Sequence, residues 1–299
     1  MRTIYVGHNP RYAAVCFEET DLVAVFWHEC RGNMAERAGA MVEYCRQNKV
    51  VTIYHEKLDN LMKKIMTACE PDLIVVGEYH LLLKQDFIDI PRVATINMHG
   101  SPLPLYRGAH PINWMIINGE KEGAVTCHYI TEGLDCGDII AQYRYPILIN
   151  ETAYDVRPKI EETGSRLLRD VLRRFKTEGR IEGIPQDVEK ASYFPPRKPE
   201  DGGIDWNMPA INIYNFIRAL TRPYPGAFSF LDNCKVYIWR AENPLCDDVI
   251  TSDTFTPGTI IKAEHDRFSV AAGDGRFLII TDWESDNAEV KEKMRFGDN

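Results

Sequence analysis

The sequence predicts a two-part α/β protein: a Rossmann-like N-terminal domain on a parallel-rich sheet, then a small C-terminal β-barrel domain. Three observations carry this. From residue 1 to about 150, short β-branched runs apolar on both faces alternate with helical periodicity, the βαβ signature of buried parallel strands. A Pro/Gly/charge stretch, "SYFPPRKPEDGG" (192–203), then breaks the pattern, as linkers do. Beyond it, short strand-like segments recur at regular spacing with one short helix among them, which suggests a small barrel. The expected division is a first domain over 1–190, a linker over 191–203 and a second domain over 204–299.

In order, "TIYVG" (3–7), "LVAVFW" (22–27), "VVTIYH" (50–55), "LIVVGE" (73–78) and "VATINM" (93–98) read as strands. Between the second and third, Asn33 reads as an N-cap with Glu36 three residues on, and Ala38, Met41, Val42 and Cys45 share a face. Leu58, Leu61, Met62, Ile65, Met66 and Cys69 repeat that spacing before Pro71. "GAVTCHYI" (123–130) and "DIIAQYRYPI" (138–147) add two strands around the turn-rich "TEGLDCG". A helix follows with Val156, Ile160, Leu167, Leu168, Val171, Leu172 and Phe175 on its apolar stripe. Pro158 predicts that this helix starts or kinks there. After the linker come a helix at "NIYNFIRAL" and strands at "AFSFL", "KVYIWRAE", "GTIIKAE", "RFSVAAG" and "FLIIT". The final "ESDNAEVKEKMRFGDN" is polar and is expected to be loosely held.

Composition narrows the function classes. At 299 residues, 44% apolar and 26% charged, the chain is an ordinary globular protein. A net charge of −9 with no Lys/Arg stripe argues against a general nucleic-acid binder. The eight cysteines (Cys16, Cys30, Cys45, Cys69, Cys127, Cys136, Cys234 and Cys246) form no CxxC pair. No zinc site is therefore expected, and the thiols read as small hydrophobes of a reducing, cytoplasmic compartment. The start "MRTIYVGHNP" has no signal-peptide pattern, and no apolar run is long enough to span a bilayer. The turn after the first strand, "GHNPRYAAV", has one glycine where a dinucleotide fingerprint needs three, so no such cofactor is expected.

The stretch that asks for a function is "ATINMHGSPLPLYRGAHPINW" (94–114), where a buried strand gives way to Asn, His, Gly and Pro. In an open parallel sheet, ligands lie beyond the carboxyl ends of strands, and this is such an end. Alternation sets Asn97 and His99 on one side. "GLDCGD" adds Asp135 and Asp138 in a glycine-flanked loop that a ligand can approach closely. Singly, each reads as readily as a turn or pocket residue; together they outline a site.

These motifs, "NMHGSPLPLYRGAHPINW" and "GAVTCHYITEGLDCGDII", resemble the formyltransferases that use 10-formyltetrahydrofolate, and "PEDGGIDWNMPAINIYNFIRALTRPYPGAF" resembles the start of that family's C-terminal barrel domain. The likeness covers nearly the whole chain, although Pro102 stands where the family's loop has Leu. It implies a formyltransferase domain followed by an OB-like barrel, no metal, and a catalytic trio of Asn97, His99 and Asp135. Asn97 would donate to an oxyanion, His99 would move protons, and Asp135 would orient the imidazole. It implies folate contacts at Tyr79, Leu81, Leu82 and Leu83 in "GEYHLLLKQDFI" (77–88), and at Ser101 and Asp138. The implied acceptor is the 4-amino group of a nucleoside-diphosphate sugar, UDP-4-amino-4-deoxy-L-arabinose or a 4-amino-4,6-dideoxyhexose, for cell-surface polysaccharide or lipid A. Arg197, Arg218, Arg222 and Tyr224 are candidates to meet it, by Arg fork geometry and aromatic stacking; Arg107 is a further substrate-side candidate, better read as a residue that fixes the loop. Methionyl-tRNA formylation and a non-catalytic folate-binding relative are the alternatives. Small molecules rather than nucleic acid or membrane are the expected partners, with a homodimer as a further expectation.

Overall fold

β-Branched runs settle as strands when helices cover both faces, and the N-terminal elements alternate in just that way. The computed structural model describes residues 1–30, 32–245, 255–264 and 266–297. In chain order it has β1 (Arg2–Gly7), α1 (Pro10–Glu19), β2 (Asp21–Trp27), α2 (Asn33–Gln47), β3 (Val51–Tyr54), α3 (Asn60–Ala68), β4 (Leu73–Gly77), α4 (Gln85–Ile88) and β5 (Ala94–His99). There follow β6 (Arg107–Gly108), α5 (Pro111–Ile117), β7 (Glu122–Tyr129), β8 (Ile139–Pro146), α6 (Ala153–Glu178) and β9 (Tyr193–Phe194). Last come α7 (Ala210–Leu220), β10 (Ala227–Leu231), β11 (Cys234–Ala241), β12 (Ile260–Ala263), β13 (Phe268–Ala271) and β14 (Phe277–Ser285).

The chain divides into two units: Met1–Gly108, Ala124–Tyr145 and Lys159–Tyr193 in the first, and Ala109–Gly123, Pro146–Pro158 and Phe194–Asn299 in the second. A seven-stranded sheet runs β3-β2-β1-β4-β5-β7-β8. β1 to β5 pair in parallel, and β7 joins β5 antiparallel. Ile4, Val6, Ala24, Phe26, Ile74 and Val76 pack with Met62, Met66 and Phe87 into one core on the sheet. The order reverses between β1 and β4, so their carboxyl ends open the crevice where such sheets bind ligands.

Local chemistry sets the helix starts. Asn9 accepts from the amides of Arg11 and Tyr12 with Pro10 at the first helical position, and Asp59 does the same for Leu61 and Met62. Asn33, by contrast, is the first residue of α2 and not its cap; Gly32, at φ 56°, precedes it without a side-chain cap bond. Pro158 neither starts nor ends α6, which begins at Ala153 and runs through it. Proline removes the bond to the carbonyl of residue 154, and Tyr154 is 56% exposed, where water can take that bond.

In the second unit the expected strands form an antiparallel sheet, ordered β10-β11-β14-β13-β12. Among the described residues no direct pairing joins β10 to β12, so the sheet is not seen to close into a barrel; isolated bridges tie Phe230 of β10 to Gly297 and Thr259, just before β12, to Arg295. The polar tail is not loose up to residue 297. Phe296 is 2% exposed and stacks on Trp206 at 5.2 Å, and the amides of Phe296 and Gly297 donate to Gly258 and Phe230. One aromatic anchor outweighs the polar composition around it. Cys246 lies outside the described residues. Among those residues no helix is long and apolar enough to cross a membrane.

Candidate active site

β5 delivers Asn97 and His99 two residues apart, on one side of the strand as alternation requires. His99 is buried, and its Nε2 lies 3.0 Å from the carbonyl of Tyr106. A carbonyl only accepts, so Nε2 carries a proton and Nδ1 is left for chemistry. Asp135 Oδ2 stands 3.6 Å from that Nδ1 and accepts the Gly108 amide at 2.9 Å. Protonation of Nδ1 would thus place an imidazolium beside a carboxylate that is already held.

The turn between β7 and β8 holds Asp135 with its backbone at φ 50°. Gln186 Nε2 donates to the carbonyls of Asp135 and Gly137, while Gln186 Oε1 accepts from Arg107 Nη2 at 2.7 Å and Nε at 3.1 Å. Arg107 also donates to the Tyr193 hydroxyl and is only 2% exposed. Its guanidinium is therefore a brace for the Asp135 turn.

Asn97 faces His128 across the β5–β7 pairing. His128 is 2% exposed, and its Nδ1 lies 2.9 Å from the Tyr129 carbonyl, so Nδ1–H donates there and Nε2 accepts from Asn97 Nδ2 at 3.1 Å. Burial, with His99 adding to it and Asp135 opposing, holds the His128 pKa down to about 4. A neutral His128 takes one Asn97 hydrogen and aims the other at Asp135 Oδ1, 3.5 Å away. That second, long bond is the one a developing oxyanion can take over.

Other expected residues fall variously. Tyr79, Leu81, Leu82 and Leu83 follow β4; the Tyr79 hydroxyl lies 2.6 Å from His55 Nε2. Leu82 is 74% exposed, whereas Leu83 packs into the core. Ser101 is fully buried and donates to the Leu105 carbonyl, shaping the loop after β5. Asp138 is exposed at the foot of β8. In the second unit, Arg197, Lys198, His110, Asn113 and Tyr224 line a cavity of about 150 Å³. Arg197 lies over the rings of Trp114 and Phe216, at 4.8 and 5.2 Å, and its buried Nε has no partner. Arg218, also buried, donates to Asn215 and to the carbonyls of Leu148 and Glu151.

Sequence reasoning passed over three participants. His128 had a signal, since it opposes Asn97 once β5 and β7 pair antiparallel. Gln186 had none, lying 51 residues from Asp135. The third is Glu78, which binds Arg37 through both oxygens at 2.8 Å and accepts from Asn9 at 3.0 Å. Arg37 also pairs with Glu161, which Arg11 reaches at 3.1 Å, so a charge network spans the crevice of β1 and β4.

Two family models fit this chain: "Formyl transferase" over residues 22–172 and "Formyl transferase, C-terminal domain" over 197–294. The chain belongs to the formyl transferase family. Among curated proteins, this formyl transferase is 38% identical over 217 residues to the bifunctional polymyxin resistance protein ArnA of Wigglesworthia glossinidia brevipalpis. That match takes in 72% of this chain and 32% of the relative, so the chain spans about a third of the relative's length. Among solved structures, the Helicobacter canadensis N-formyltransferase in complex with folinic acid and dTDP-3-aminofucose superposes with a TM-score of 0.69 at 21% identity, covering 94% of this chain and 98% of that one. WlaRD, a sugar 3N-formyl transferase solved with dTDP and 5-N-formyl-THF, gives 0.70 at 20% identity, covering 97% and 99%. At those identities the two structures speak for the fold of this formyl transferase.

Proposed function

We propose that the protein transfers the formyl group of 10-formyltetrahydrofolate to the amino group of a nucleoside-diphosphate-linked sugar. The observation that carries this is the convergence of Asn97, His99 and Asp135 at the carboxyl end of β5, with His99 Nδ1 free of any carbonyl and facing a held carboxylate. In this reading the sugar amine attacks the formyl carbon, forming a C–N bond as the carbonyl electrons move to oxygen. Asn97 donates to that oxyanion. His99 Nδ1 accepts the amine proton, Asp135 stabilises the cation, and the proton passes to the folate nitrogen as its C–N bond breaks.

The choice of acceptor rests on other support. The curated relative is a polymyxin resistance protein by its name, one solved neighbour is an N-formyltransferase in complex with dTDP-3-aminofucose, and the other is named a sugar 3N-formyl transferase. A net charge of −9 disfavours the broad phosphate contacts that tRNA needs. The cavity bearing Arg197, Lys198 and Tyr224 suits a diphosphate beside an aromatic face. Arg107 and Arg218 act in this reading as braces for the chain. The folate sits by the loop of Tyr79, Leu81, Leu82 and Leu83. The finer assignment is the 4-amino group of UDP-4-amino-4-deoxy-L-arabinose or of a 4-amino-4,6-dideoxyhexose.

Purified protein incubated with 10-formyltetrahydrofolate and a panel of UDP-, dTDP- and GDP-linked 3- and 4-amino sugars, beside methionyl-tRNA, tests this by product mass. One added formyl group on a sugar nucleotide is expected. Formylation of tRNA alone would overturn the acceptor and leave the trio standing. His99→Asn should lower turnover by about 10²-fold or more and Asn97→Ala by about 10²- to 10³-fold, with folding intact by circular dichroism. Turnover equal to wild type in either would sink the mechanism.

A further inference from the structure

Four adjacent strands of the first unit each release a histidine at or just past the carboxyl end: His8 after β1, His28 after β2, His55 after β3 and His80 after β4. Their rings cluster, with centroids 4.5 Å apart for His8 and His28, 6.1 Å for His28 and His55, and 6.2 Å for His28 and His80. The chemistry proposed above uses none of the four.

The inner pair has an unusual arrangement of lone pairs. His8 is fully buried, and its Nδ1 lies 2.7 Å from the Glu78 carbonyl. Both ring nitrogens face carbonyls, Nδ1 that of Glu78 and Nε2 that of His28; with the proton on the shorter contact, at Nδ1, Nε2 presents its lone pair. There it meets Cys30 Sγ at 3.3 Å and the His28 carbonyl oxygen at 2.9 Å. His28 Nδ1 is buried and has no hydrogen-bond partner. His8, His28 and Cys30 each offer one ligand atom, all within 4.8 Å of one another. A tetrahedral zinc ion, with Zn–S about 2.3 Å and Zn–N about 2.0 Å, sets its sulfur and nitrogen ligands roughly 3.5 Å apart. The observed 3.3 Å between Nε2 and Sγ is close to that.

We infer that His8, His28 and Cys30 form a site for a borderline-soft divalent cation, zinc in the first instance, with water completing a tetrahedron. The donor set is one nitrogen from each imidazole and one thiolate, which selects such ions over magnesium or calcium. The bond from His8 to the Glu78 carbonyl is the outer contact that orients a ligating imidazole. His28 Nδ1 makes no hydrogen bond, so that nitrogen is available to an ion. A cysteine ligates a metal ion as its thiolate. Binding therefore replaces the thiol proton with the metal ion and releases that proton to solvent. The ion would tie the segment after β2 to β1 and, through Glu78, to the loop carrying Tyr79.

The test uses the full chain, stripped with a chelator and titrated with cobalt(II) as a coloured stand-in for zinc. One cobalt per chain is expected, with a sulfur-to-cobalt charge-transfer band, displacement by zinc, and release of about one proton per ion. Cys30→Ser should abolish the band, and His28→Asn should weaken binding by about ten-fold or more. Cys30 and His28 lie at the partly exposed edge of the cluster, and the wild-type titration stands without either variant. No charge-transfer band in the wild type, or a band that survives Cys30→Ser, would overturn the site.

Discussion

His128 shows how one buried side chain sets another's chemistry. Held neutral, it acts only as an acceptor toward Asn97, which turns the amide toward Asp135. The same burial couples stability to pH. The pKa falls from 6.5 in the unfolded chain to about 4 in the fold, so the unfolded state binds more protons between those values. The contribution of His128 is present above about pH 6.5 and is lost as pH falls through about 4. His128→Gln should therefore lose less stability than wild type across that window, read from urea midpoints at a series of pH values. Parallel curves would refute the assignment. Asn97 and His99 were legible from alternation along one strand, and Asp135 from its glycine-flanked turn. His128 and Gln186 were not, because antiparallel pairing and a distant loop bring them in.

At the scale of elements, two glycines stand where neighbours come too close for a side chain. A Cβ at Gly137 would lie 1.9 Å from the Tyr129 carbonyl oxygen, across the hairpin that presents Asp135. Backbone cannot yield as a side chain can, so Gly137→Ala should move the turn. Turnover is expected to fall about a hundred-fold, as small misplacements of reacting groups do, and a wild-type kcat would count against this hairpin as the positioning device. In α6, a Cβ at Gly164 would lie 2.2 Å from the hydroxyl of the buried Tyr12. Alanine in a helix gains about 1 kcal/mol over glycine, while overpacking costs about 1 to 3 kcal/mol. The clash outweighs the gain, and Gly164→Ala should lower the unfolding free energy by up to about 2 kcal/mol in denaturant titrations; a more stable variant would show that Tyr12 rotates away. Strands and helices were readable as elements because their periodicities differ. Asn33 was misread as a cap because Gly32 precedes the helix, and Pro158 does not start α6, which runs through it past the exposed Tyr154.

For the whole molecule, the C-terminal tail shows where composition misleads. Its polar residues hide one anchor, Phe296, which packs against Trp206 and Phe268 at 5.2 and 5.9 Å. Phe296→Ala should destabilise the second unit by about 3 to 5 kcal/mol, the usual cost of emptying a buried aromatic site. Calorimetry would detect it, and an unchanged transition would show that the anchor carries no weight. The acidic balance of the chain makes a further prediction: sugar-nucleotide turnover should change little between about 50 and 200 mM salt, whereas tRNA binding through several phosphates would lose orders of magnitude.

The sequence by itself determined the α/β class and the family, and pointed to Asn97, His99 and Asp135, which the fold brings together at the end of the fifth strand, because those depend on residue type and short spacing. Tertiary structure alone decided which nitrogen of His99 faces Asp135, that Arg218 spends its guanidinium group on the chain, and that histidines from four strands meet. The reason is physical. Hydrogen-bond donors are assigned by whatever lies opposite once the chain is packed, and those partners come from strands and loops far apart in sequence.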